Sequence, residues 1–163
     1  MPRGSGLTST VSPIRIRHPL ADPPLAGRGL IDTSVVIDLD RVAPEALPSE
    51  IAIAAVTLAE LAAGPHATSD SIERARRQER LQRAEATFDA IPFDAAAARA
   101  YGLVYAEAAS SGRKARGKRA LDLLIAATAL AAQLPLYTRN PADFDGLGAL
   151  IDVTAVRPAT STH

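Results

Sequence analysis

Four acidic residues follow one another along this chain in or beside apolar runs: Asp32 in LIDTSVVIDL, Glu60 in VTLAEL, Asp122 in ALDLLIAATAL and Asp143 in TRNPADFDG. Three of these segments are too apolar to lie at a surface, so the fold must accommodate their carboxylates inside. An unpaired buried charge costs far more than one packing contact returns, and it needs a cation, a hydrogen-bond donor or a proton. The three apolar segments contain no Lys or Arg. Several converging carboxylates without a cation point to a hard divalent ion such as Mg2+ or Mn2+.

Composition removes most other chemistries. The chain has no cysteine, which excludes disulfides, zinc–thiolate sites and thiol nucleophiles and is compatible with a reducing, cytosolic setting. His18, His66 and His163 are scattered away from the acids, which argues against a Ser-His-Asp site or a histidine-rich metal site. No stretch approaches the length of a membrane span, and the N-terminus lacks the apolar core of a secretory signal. Formal charge is zero over 163 residues, but Arg3, Arg15, Arg17 and Arg28 lie in the first 28, leaving a mildly acidic body. Any contact with nucleic acid must therefore come from local basic patches.

One domain is expected. Residues 1–28, with five Pro and no hydrophobic period, read as a flexible leader, residues 29–156 as the folded domain, and residues 157–163 as a flexible tail. Short β-branched runs alternate with helix-length segments. Gly29 to Asp32 reads as a strand passing into a helix capped by a hydroxyl, Thr33 or Ser34. Ile51 to Ala54 is a second strand. Thr57-Leu-Ala-Glu60 matches a capping box, in which the glutamate bonds back to the cap N–H, so Thr57 should start a helix. A charged helix is expected over 71–89, a short strand over 91–93, and an Ala-rich helix capped by Asp94 that stops at Gly112. Another helix is expected from about Arg119 to Gln133, with strands at 136–138 and 151–156. This alternation predicts an α/β fold with a central, mainly parallel sheet flanked by helices. Ligands of such sheets bind beyond the carboxyl ends of the strands, where Asp32 and the loop from Thr138 to Asp143 fall.

Each acid also has an ordinary structural explanation. Asp32 can serve a helix N-terminus, Glu60 a capping box, Asp122 a first helical turn, and Asp143 and Asp145 a Pro-Gly turn. The basic linker with Arg113, Lys114, Arg116, Lys118 and Arg119 reads alone as a solvated tether. Its position just before Asp122 suits it to hold a polyanionic backbone. The run Arg74, Arg76, Arg77, Arg80 and Arg83 is interspersed with acids and reads as a solvated face or partner surface.

Taken in order, Asp32-Thr33-Ser34 after an apolar strand, Thr57-Leu-Ala-Glu60-Leu, Asp122-Leu-Leu-Ile-Ala-Ala-Thr-Ala and Thr138-Arg139-Asn140-Pro-Ala-Asp143-Phe144 resemble the PIN-domain ribonucleases, in particular VapC-type toxins of toxin–antitoxin pairs. The resemblance implies a PIN-like fold, a Mg2+ or Mn2+ site, hydrolysis of RNA phosphodiester bonds, a cognate antitoxin and a homodimer. By position it assigns catalytic roles to Asp32, Glu60, Asp122 and Asp143, with Asp32, Asp122 and either Asp143 or Asn140 on the metal. Ser34 and Thr138 match polar positions that order the site. Arg113, Lys114, Arg116, Lys118, Arg119 and Arg139 would contact RNA. Two rival readings are a phosphatase using Asp38-Leu-Asp40 and a catalytically silent PIN-like module that acts by binding protein.

Overall fold

The computed structural model describes residues 27–159. The expected leader, except for Gly27 and Arg28, and the last four residues of the expected tail lie outside them.

Five strands, β1 (Arg28–Ile31), β2 (Glu50–Ala54), β3 (Ala90–Ile91), β4 (Leu136–Thr138) and β5 (Val153–Ala155), form one sheet in the order β3-β2-β1-β4-β5. Every pairing is parallel, so the expectation of a mainly parallel sheet is met in full. Helices α1 (Thr33–Ile37), α2 (Ala55–Ala63), α3 (Ser71–Thr87), α4 (Ala95–Ser110) and α5 (Lys118–Ala131) cover it. Among the described residues no helix is long and apolar enough to cross a membrane.

A parallel sheet buried on both faces needs strands apolar at every position, because alternate residues enter different cores. Leu30 and Leu136 join Val104, Leu123, Ile125 and Phe144 in the core under α4 and α5. Ile31, Ile53 and Tyr137 join Val35, Val36, Leu61 and Phe88 in the core on the other face. Ala-rich α4 and α5 pack closely: Ala97, Ala100, Ala108, Ala126, Ala127 and Ala129 are all buried. Gly29 lets β1 run beside β4, since a Cβ there would meet the Tyr137 ring at 2.5 Å and Pro48 at 2.9 Å.

The chain winds from β1 outward through β2 to β3, then returns to place β4 and β5 on the other side of β1. The carboxyl ends of β1 and β4 therefore flank the point where the winding direction reverses, the position at which open α/β sheets form a crevice.

Several local expectations are corrected. The cap of α1 is Asp32, not a hydroxyl: its carboxylate accepts the Val35 N–H at 3.1 Å. A carboxylate fills this role as well as Ser or Thr and is favoured by the helix dipole. The capping box at Thr57 does not form either, because α2 begins at Ala55 with Ala54 as its cap, which puts Glu60 in mid-helix. The sheet continues straight into α2, so the apolar run outweighs the local motif. β3 is displaced to Ala90–Ile91 and α5 begins at Lys118, whereas Asp94 caps α4 as expected by accepting the Ala97 N–H at 2.9 Å. After β5, Pro158 bridges Val42, and the Ala159 N–H donates to the Arg41 carbonyl at 2.9 Å, so the first residues of the expected tail are bonded to the fold.

Candidate active site

Asp32 leaves β1 at its carboxyl end and is 4% exposed. It is held from three directions. Its Oδ1 accepts the Ser34 hydroxyl at 2.6 Å and the Val35 N–H, and its Oδ2 accepts the Thr138 hydroxyl at 2.6 Å. Each hydroxyl in turn accepts a backbone N–H from the loop after β4, Ser34 from Arg139 at 3.1 Å and Thr138 from Asn140 at 3.0 Å. The orientation of the buried carboxylate is thus tied to the loop that carries Asn140. Three donors also supply the hydrogen bonds that burial denies it from water.

Glu60 projects from α2 into the same cleft and accepts the Thr33 hydroxyl. Asp122, in the second turn of α5, is 5% exposed. Burial pushes its carboxyl up to about 6; Lys118 counteracts this, while the charges of Asp143 and Glu60 raise it further. Burial is the main cause of the raised value, and the Lys118 ammonium offsets only part of it. Asp32, Glu60, Asp122 and Asn140 line one cleft, together with Asp38, Lys118 and Arg139. Asp143 stands beside it in the 3-10 turn Pro141–Phe144 and is tied to Asp122 through Lys118.

The six expected RNA-contacting cations separate into distinct environments. Lys114 and Arg116 are exposed and have no ion pair among the described residues. Arg113 donates to the Ala142 carbonyl at 2.8 Å and pairs with Asp145 at 3.2 Å. Arg119 is half-buried and donates to the Asp143 carbonyl at 3.0 Å, with Nε and Nη2 unpartnered among the described residues. Arg139 is paired with Asp38. Lys118 reaches both oxygens of Asp122, at 3.2 and 3.3 Å, and Asp143 at 3.0 Å. Burial works against its charge, but the hydrogen bond to Asp143 and the charge of Asp122 prevail and hold the ammonium above its ordinary range. Arg113 and Arg119 therefore bind the 141–145 loop to the molecule, and the acids do have a counter-ion.

Sequence reasoning named Lys118 as an RNA contact and Asp38 as part of a phosphatase pair but missed their partners here, and it missed the role of Thr33. The i, i+4 spacing from Lys118 to Asp122 was a signal for the first. Thr33, which donates to Glu60, and Asp38, which holds Arg139, had no local signal because their partners lie 27 and 101 residues away.

The donor set fits a hard divalent cation in chemistry: carboxylate and amide oxygens, with two buried carboxylates, Asp32 and Asp122, and Glu60 on the same cleft. It is not a closed cage, since among the described residues no three acidic or His side chains are drawn together tightly enough to hold an ion as they stand. Lys118 lies between two of the acids.

A five-stranded parallel sheet with acids gathered at its winding reversal defines a class of fold, and the family model "PIN domain" matches residues 29–149. The chain belongs to the PIN-domain family. It is 37% identical over 132 residues to Ribonuclease VapC5 of Mycobacterium tuberculosis, a match spanning 79% of this chain and 94% of that protein. Among solved structures it is similar to a member of the VapBC family of toxin–antitoxin systems, VapBC-5 from M. tuberculosis, with a TM-score of 0.66, 32% identity, and coverage of 80% of this chain and 99% of that one. FitAcB from Neisseria gonorrhoeae is similar at a TM-score of 0.56 and 26% identity, over 76% of this chain and 94% of that one.

Proposed function

We propose that the protein is the ribonuclease toxin of a toxin–antitoxin pair, a metal-dependent endoribonuclease of the cytoplasm restrained by a cognate antitoxin and acting as a homodimer. The observation that carries this reading is the convergence of Asp32, Glu60 and Asp122 on one cleft in a chain 37% identical to a ribonuclease. The nuclease unit is residues 29–156, preceded by a leader and followed by a short tail.

Asp32, Asp122 and either Asp143 or Asn140 would hold Mg2+ or Mn2+. The ion would supply a Lewis acid for the scissile phosphate and a water of lowered pKa. Asp32 is suited to a fixed ligand because three donors immobilise it. Glu60 accepts the Thr33 hydroxyl at one oxygen and has no other hydrogen bond among the described residues, so its second oxygen would orient the attacking water. Ser34 and Thr138 hold the alignment. Of the six expected RNA contacts, Lys114 and Arg116 have no ion pair among the described residues and would bind backbone phosphates, which fixes the strand without reading bases.

The test is cleavage of total cellular RNA by antitoxin-free protein in Mg2+, Mn2+ or EDTA, with Asp32→Asn and Asp122→Asn alongside. Metal-dependent cutting at discrete sites, lost in both variants, is expected. Intact RNA under every condition, from protein shown to be folded, would instead favour a silent protein-binding module.

A further inference from the structure

Lys118 is poorly explained as a helix-forming residue. It opens α5 immediately after Gly117, whose φ of 57° places it in the left-handed region and which provides no side-chain cap. A cation in the first turn opposes the helix dipole, and Lys four residues before Asp is the weaker order for a helical ion pair. Its side chain is 64% exposed, yet its ammonium bonds Asp122, whose side chain is 7% exposed, and Asp143. A single ammonium therefore spans two carboxylates contributed by different elements, and both are candidate ligands of the divalent ion.

We propose that Lys118 is a displaceable internal counter-ion that competes with the divalent metal for Asp122 and Asp143. The inference rests on the metal-site reading above and concerns how that site is controlled. A metal ion and an ammonium compete for the same carboxylates, because at such distances their mutual repulsion is large. Arg119 keeps the Asp143 backbone in place through its carbonyl, so exchange needs only rotation of the exposed lysine stem and no movement of the helix. Metal affinity is then set below what the carboxylates alone would give, and the metal-poor protein keeps its acids neutralised.

The experiment is calorimetric titration of EDTA-treated, full-length protein with Mn2+, comparing wild type, Lys118→Met and Lys118→Arg. The Met variant retains the stem without the charge and should bind Mn2+ roughly tenfold more tightly; the Arg variant should stay near wild type. Melting temperature provides a second readout. In EDTA, Lys118→Met should melt below wild type, and saturating Mn2+ should raise it by more than it raises wild type. Equal or weaker Mn2+ binding by Lys118→Met overturns the proposal while leaving the metal site intact. If Mn2+ binds to none of the three, the metal-site reading falls and the proposal with it.

Discussion

The Thr138 hydroxyl donates to Asp32 Oδ2 at 2.6 Å, joining residues 106 positions apart at the ends of two adjacent parallel strands. This bond exists because β4 lies beside β1 rather than at the sheet edge, with Ile31 in register with Tyr137. Thr138 is fully buried and its hydroxyl also accepts the Asn140 N–H, so a small polar side chain at a strand end couples a carboxylate to the loop that follows.

Thr138→Val keeps the shape of the side chain but removes that donor and acceptor. Hydrogen bonds to ionised groups contribute about 1.5–3 kcal/mol, and an orphaned buried partner adds to the loss. Urea unfolding should show destabilisation of about 2 kcal/mol, and RNA cleavage should fall because Asp32 is freed to rotate. Unchanged stability would mean that Ser34 and Val35 hold Asp32 without help.

Asp122 sets a pH dependence. Its folded-state value of about 6 lies above the ordinary carboxyl value of 3.8, so between these values the folded protein binds the proton more tightly than the unfolded chain. Its contribution to stability is therefore full below about pH 4 and is lost as pH rises to about 6, at about 1.4 kcal/mol per unit of elevation. In EDTA, the stability difference between wild type and Asp122→Asn should swing against wild type across this window. A difference that stays flat with pH would show that Lys118 neutralises the carboxylate completely.

Lys114 and Arg116, which have no ion pair among the described residues, should behave differently from the paired Arg113. Lys114→Ala and Arg116→Ala should weaken RNA binding for all sequences alike. Removing one cation from the RNA phosphates should lower the slope of log affinity against log salt by about 0.7. Arg113→Ala should instead lower thermal stability, since it releases Ala142 and Asp145. Fluorescence anisotropy over a salt series on an Asp32→Asn background separates the two effects; identical behaviour of all three would contradict the division.

Gly29→Ala should destabilise the fold by about 1–3 kcal/mol, the usual range for overpacking, because the added methyl meets a buried Tyr137 ring. A Gly29→Ala, Tyr137→Leu double variant should recover much of that loss in denaturant melts, and failure to recover would assign the cost to Pro48.

The α/β layering was legible because β-branched runs alternate with helical periods. The acids were legible because a carboxylate in an apolar run is costly wherever it occurs. Local motifs were less dependable: Thr57 and Glu60 satisfy the capping-box spacing, yet α2 starts two residues earlier because the apolar run from β2 enters the helix without a break. The polar capping residue of α1 was anticipated as a hydroxyl, whereas Asp32 itself fills the role.

The alternation that predicts a parallel sheet between helices and the candidate acids in apolar runs were legible in the sequence, since these follow from periodicity and from the cost of burying charge within single segments, while the family was legible as the resemblance of four motifs in order. Only the tertiary structure decided the strand order, and with it which distant partners each functional group acquires. Thr138 on Asp32, Thr33 on Glu60, Arg139 on Asp38 and Lys118 between Asp122 and Asp143 all depend on side chains brought together across elements. A hydrogen bond or an ion pair acts over about 3 Å, and no local pattern in the chain specifies a distance that short between residues that far apart.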